Sequence, residues 1–134
     1  MRMSLVGVCL VLGVGMGLAE SAGAAPSPCD ALVGAWEYIP PSLPGTAIVS
    51  KQANGKYLIV WIGTAPDKSS ATAGSWEGAC EGSKVRWRVL YATDPSSVGK
   101  ERVVDWQMTG DTMQYWFLTP EGQRGDAGAV RRLK

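Results

Sequence analysis

The side chains of this chain that could do chemistry are few, and most of them are aromatic. Histidine is absent from all 134 residues, which removes the commonest general base and the commonest metal ligand. Serines are plentiful in loop-like stretches, but none has a base beside it or stands in a nucleophile elbow. Glu37, Glu77, Glu101 and Asp105 are the carboxylates from which an acid–base pair could be drawn, and charged residues in strand-like segments are as a rule solvated. No catalytic residue, metal or cofactor is expected. Aromatic residues are the informative set. Trp61, Trp76, Trp87, Trp106 and Trp116, with Tyr57, Tyr91 and Tyr115, are too many for one cluster plugging the end of a small domain. Either they are bulky core residues, or they line an apolar cavity in which a few polar groups orient a hydrophobic or planar ligand.

The elements that must position these residues read as strands. Short runs rich in Val, Ile, Tyr, Trp and Thr alternate with Gly, Pro, Asn and Asp. They predict strands over Val33–Tyr38, Thr46–Lys51, Lys56–Ile62, Ala73–Ala79, Lys84–Tyr91, Lys100–Met108, Thr112–Leu118 and Ala127–Leu133. Hairpin turns fit Ala53-Asn54-Gly55, Glu81-Gly82-Ser83, Thr109-Gly110-Asp111 and Pro120-Glu121-Gly122. Three prolines bar Pro40–Pro44 from any central strand. Asp30–Val33 has room for one short turn ahead of the first strand. A meander of eight strands removes its two exposed edges by closing into an antiparallel up-and-down barrel, and eight is the number whose interior just holds side chains or one small ligand. A two-sheet sandwich is the alternative, but it needs longer crossovers than most of these connections.

Strand parity then assigns faces. Val85, Trp87, Val89 and Tyr91 alternate with Lys84, Arg86 and Arg88, so the first set is expected inside and the basic set in solvent. That alternation also parts Trp87 from Arg86 and Arg88, which argues against a single-stranded nucleic-acid platform. Arg102 shares a face with Val104 and Trp106. If that face is inward, Arg102 could anchor a carboxylate or phosphate head; if Val103 faces inward instead, it points to solvent. Tyr57, Ile59 and Trp61 alternate with Leu58, Val60 and Ile62, so that strand is apolar on both faces. Its outer face is expected under a loop, a terminal segment or another subunit.

The chain opens as an export leader. Arg2 precedes an apolar run from Leu5 to Leu18 that is too short for a membrane span, and Ala22-Gly23-Ala24 offers small residues for a signal peptidase. Cleavage is expected after Ala24, with Ala19 the runner-up, and the small-domain remainder is 25–134. The leader carries one Arg and one Glu, so the net charge is +1 with or without it. That balance gives no nucleic-acid footprint. Cys9 departs with the leader, and Cys29 and Cys80 are then an even pair in an oxidising compartment, the periplasm or the outside. Their disulfide would close a loop worth roughly 4 kcal/mol in chain entropy.

Leu32-Val33-Gly34-Ala35-Trp36 resembles the Gly-x-Trp signature that begins the first strand of lipocalins. The order of features over residues 32–134 is similar to that of small bacterial exported lipocalin-like domains. These features are Ala73-Gly74-Ser75-Trp76, Asp94 to Lys100, the Gly110-Asp111-Thr112 turn and the ending Arg131-Arg132-Leu133-Lys134. The resemblance implies a lipocalin-like barrel in which Trp36 plugs the closed end beneath a basic residue of the last strand, Arg132 or failing that Arg131. Such a contact is worth roughly 0.5–2 kcal/mol. It also implies a loose prior for binding a small molecule. Trp116 stands where such relatives tend to carry something small, which would partly fill a cavity.

Together these readings point to a binder of a small apolar or amphipathic ligand. Trp61, Trp87, Tyr91, Arg102, Trp106 and Trp116 are its candidate contacts. A structural barrel filled by its own tryptophans is the second reading, and an enzyme acting inside the cavity is the third. The cysteine pair gives the first prediction: unreduced protein exported by its native host carries no alkylatable thiol, and reduction raises the intact mass by two hydrogens.

Overall fold

The computed structural model describes residues 25–65 and 67–134. The expected leader, 1–24, lies outside the described residues. Eight strands form a closed antiparallel barrel in which each pairs with its neighbours in sequence and the last returns to the first. They are β1 (Gly34–Ile39), β2 (Gly45–Lys51), β3 (Tyr57–Thr64), β4 (Ala71–Glu81), β5 (Lys84–Ala92), β6 (Glu101–Thr109), β7 (Thr112–Leu118) and β8 (Arg124–Arg132). The four anticipated hairpin turns fall between β2 and β3, β4 and β5, β6 and β7, and β7 and β8. The tightest two use Gly82 and Gly110 at positive φ, 63° and 59°, where any other residue is strained.

Strand limits differ from the sequence reading where small or polar residues continue a ladder. β4 extends back to Ala71, which pairs with Thr64, and on to Glu81, which pairs with Lys84. β8 begins three residues earlier than expected, in Arg124-Gly125-Asp126, because β7 supplies hydrogen-bonding partners there past a register shift.

The two ends of the barrel are built differently. One end carries the two longest connections, the β3–β4 and β5–β6 loops, together with the Pro40–Pro44 stretch and the β7–β8 turn. The opposite end is closed by the N-terminal segment. A 3-10 turn over Pro28–Leu32 is capped by Ser27, whose hydroxyl accepts from the Cys29 N–H while Asp30 accepts from the Ser27 N–H. This turn lays the fully buried Cys29 and the buried Leu32 across the barrel floor. Cys29 is joined there to Cys80 of β4 by a disulfide that spans 6.0 Å between Cα atoms.

Trp36 completes the floor. Its ring is 1% exposed, and its indole N–H donates to the Leu32 carbonyl at 2.8 Å. The Arg132 guanidinium lies 4.3 Å from the ring centroid and donates to the carbonyls of Ala31 and Val33, both at 2.9 Å. Arg132 thereby ties the first strand, the last strand and the N-terminal turn to one another. Arg131, facing outward on the same strand, pairs with Glu37 instead.

A second tie holds the turn from the β2–β3 side. The buried Tyr57 hydroxyl donates to Asp30 at 2.6 Å, and the Lys51 ammonium lies 2.8 Å from the same carboxylate oxygen. The Lys51 hydrogen bond, followed by those from Tyr57 and the Ser27 N–H, lowers the Asp30 pKa to about 2.

The outer face of β3 is apolar as expected, but among the described residues nothing covers it. Ile48 and Val60 are register partners and are 62% and 51% exposed, beside Ile62 at 55%.

The Asp30 tie predicts an acid dependence. Because folding lowers its pKa from near 3.8 to about 2, its contribution is complete above pH 4 and disappears as the pH falls towards 2. Urea-denaturation midpoints of the wild type should therefore drop across that window, and Asp30→Asn should flatten this part of the profile.

Candidate ligand-binding site

Below the longer loops the barrel contains a cavity of about 370 Å³, within the range of small-molecule sites. Trp36, Leu32 and Val85 form its floor, and Trp61, Trp76, Trp87, Trp106, Tyr38 and Tyr115 form much of its wall. None of its lining side chains is charged. At the rim it meets a vestibule of about 490 Å³ that shares Leu43, Trp61, Thr64, Thr72, Trp76 and Phe117 with it, and adds Asp94, Lys100, Arg102 and Asp126.

That so aromatic an interior holds a cavity at all follows from where the rings lie. Trp61 is the register partner of Gly74, Trp87 of Gly78, and Tyr115 of Gly128. Each ring folds down onto its glycine. A Cβ on Gly74 would stand 2.6 Å from the Trp61 Nε1 atom, and one on Gly78 would stand 2.6 Å from two Trp87 ring carbons. A Cβ on Gly128 would collide with the Tyr115 ring. Real Cβ atoms do not approach so closely. Three glycines on the inner face are thus seats for three aromatic rings, which line the wall instead of crossing the axis.

Trp61, Trp87 and Trp106 all line the cavity. Arg102 faces inward by its parity with Val104 and Trp106, and it is the register partner of Trp87. It stands in the vestibule, exposed at the rim. Among the described residues neither Arg102 nor Lys100 has an ion-pair partner. The vestibule's Asp94 accepts from the Ser96 hydroxyl at 2.8 Å and from the Ser96 N–H at 3.0 Å. These bonds hold its carboxyl below the usual range.

Two candidates fall outside. Tyr91 is 57% exposed and lines neither space. Its partner is Ser75, while Val89 pairs with Trp76, so Leu90 is an extra residue in β5. That bulge inverts the parity of everything after it, which turns Tyr91 outward and brings Ala92 to the vestibule. Trp116 also lies on the outer face. There the Arg124 guanidinium covers its ring at 3.7 Å and pairs with Asp105 at 2.9 Å. β7 directs Met113, Tyr115 and Phe117 inward, so Trp116 leaves the cavity unfilled.

Trp76, Tyr38, Tyr115 and Ser42 belong to the lining although they were not among the candidate contacts. A signal existed for Trp76, since Gly74, Trp76 and Gly78 alternate along one face and leave the space that large rings opposite require. Tyr115 was legible from Gln114, whose polar side chain marks the other face as outer. Ser42, in a proline-rich loop, had no comparable signal. Its hydroxyl accepts from the Ala129 N–H at 2.9 Å and meets the Tyr115 hydroxyl at 3.2 Å.

Comparison with protein-family models gave no match, and a search of curated proteins gave none either.

The glycine seats predict that Gly74→Ala or Gly78→Ala displaces the facing ring into the lumen. Each should lower stability by roughly 1–3 kcal/mol, the range for overpacking, as measured by chemical denaturation. Loss of cavity volume should appear in a structure of the variant.

Proposed function

We propose that this protein is an exported carrier that holds one small apolar or amphipathic molecule in its barrel lumen. The observation that carries this reading is the apolar cavity of about 370 Å³, kept open by rings lying on glycines. A barrel evolved only to be packed has no use for three vacated side-chain positions opposite three large aromatics.

The arrangement favours a ligand inserted with its apolar end down. The uncharged chamber takes the hydrocarbon part, and the vestibule, where Arg102 and Lys100 lack carboxylate partners, offers water and charge to a polar end. The disulfide supports a protein that works in an oxidising compartment, in line with the leader expected from residues 1–24. The lipocalin-like resemblance of the sequence leads in the same direction. An enzymatic role has less support, because no carboxylate faces the inner chamber.

The test uses diphenylhexatriene, a hydrocarbon dye with neither hydrogen-bond donor nor acceptor. One dye per barrel should bind saturably with quenching of tryptophan fluorescence, and Trp87→Ala should change the affinity several-fold in a protein that still folds. No saturable binding to the wild type, with binding to Trp87→Ala alone, would favour the filled structural barrel.

A further inference from the structure

The hydrogen-bonding groups around the chamber are unevenly matched. The buried indole N–H groups of Trp61, Trp76 and Trp106 have no partner, and all three residues line the same cavity. An indole nitrogen only donates. Trp36 shows how the chain satisfies such a group when it can, by giving it the Leu32 carbonyl. The Tyr38 hydroxyl, also in the lining, has no partner among the described residues, and burial raises its pKa, so it keeps its proton. The Ser42–Tyr115 contact adds a further donor. Ser42 already accepts from the Ala129 N–H, and only one of the two hydroxyl hydrogens can lie between the two oxygens. The other is left over. Against these donors the chamber presents no carboxylate, and apart from the weakly accepting Met113 sulfur its side-chain acceptors are hydroxyls, each of which also brings a hydrogen.

We infer that the lumen recognises a neutral molecule whose buried end carries hydrogen-bond acceptors and no donors, namely a ketone, quinone, ester or lactone on a flat hydrocarbon frame. This deepens the carrier reading and rests on it. The physical basis is the cost of an unmatched buried donor, which a carbonyl oxygen removes and a hydrocarbon of the same shape does not. The three tryptophan N–H groups are not exposed at the cavity surface, and that of Trp61 lies against Gly74. The χ2 torsion that turns such a ring has a broad minimum, so an arriving acceptor can draw an N–H towards it. A ligand that itself brings an N–H would add a donor to a site already in surplus. The surplus also disfavours a cation at the buried end. A charged head, where the ligand has one, belongs in the vestibule.

Three rigid tricycles of nearly one shape separate these cases: fluorenone presents an acceptor, fluorene presents neither group, and carbazole presents a donor. Each is titrated against protein loaded with diphenylhexatriene, and displacement of the dye is read. Fluorenone should bind roughly tenfold or more tightly than fluorene, although it is the more water-soluble of the two, and carbazole should bind no better than fluorene. Tyr38→Phe, which removes one hydroxyl, and Trp106→Phe, which removes one N–H, provide the second measurement. At least one should reduce the fluorenone-to-fluorene affinity ratio several-fold. Equal or tighter binding of fluorene, tightest binding by carbazole, a ratio unchanged in both variants, or failure of all three to displace a dye that does bind would overturn the inference and leave the carrier reading intact. Absence of saturable dye binding would overturn both.

Discussion

An aromatic ring that faces the inside of an eight-stranded barrel has two places to go. It can extend towards the axis, where it fills the interior, or it can lie along the wall, which requires that the neighbouring strand have no side chain there. Trp61 on Gly74, Trp87 on Gly78 and Tyr115 on Gly128 take the second course. The pairing converts bulky residues from packing material into surface, and both the cavity and its chemical character depend on it. The same contact explains how the barrel tolerates glycine within β4 and β8, where it would otherwise weaken a strand, since the ring covers the backbone that the absent side chain exposes.

The closed end obeys a different constraint. A barrel with an open lumen has less core than a filled one, so the floor has to concentrate its packing. Leu32, Trp36, Tyr57 and Val85 are buried there together with Cys29. The Cys29–Cys80 link, the Arg132 guanidinium over Trp36 and the Asp30–Lys51–Tyr57 cluster fasten the N-terminal turn to three different parts of the wall. Rigidity at the floor and openness at the mouth are thus assigned to opposite ends of the same strands, with short turns at the first and most of the longer loops at the second.

Much of this was legible in the sequence, because a period of two and a set of turn residues determine which strands pair and roughly where they end. The eight strands, four hairpin turns and the inward row Val85, Trp87 and Val89 all follow from that pattern. What escaped it was anything that depends on a neighbour. Tyr91 obeys its own strand's parity until Leu90 bulges, and the bulge is a property of how β5 meets β4. Trp116 was assigned by residue type, whereas its face is set by Met113, Tyr115 and Phe117 beside it. The polar start of β8 reads as a loop until β7 is placed next to it. Whether the tryptophans line or fill the interior was undecidable from composition, because the answer lies in cross-strand register: the same residues with β4 slipped by one position would meet Ser75 and Ala79 instead of glycines.

Each ring and its glycine also form a unit of inheritance. A side chain larger than hydrogen can arise at position 74, 78 or 128 without a collision only after the facing ring has become smaller, and a smaller ring leaves bare backbone until the glycine changes. The two positions should therefore covary, large with none or medium with small, and each exchange would move the bulk from one strand to the next at nearly constant total volume. Such exchanges alter the outline of the lumen while leaving the barrel's diameter unchanged. Divergent copies of this scaffold could in this way acquire differently shaped interiors without altering strand number, shear or turn lengths.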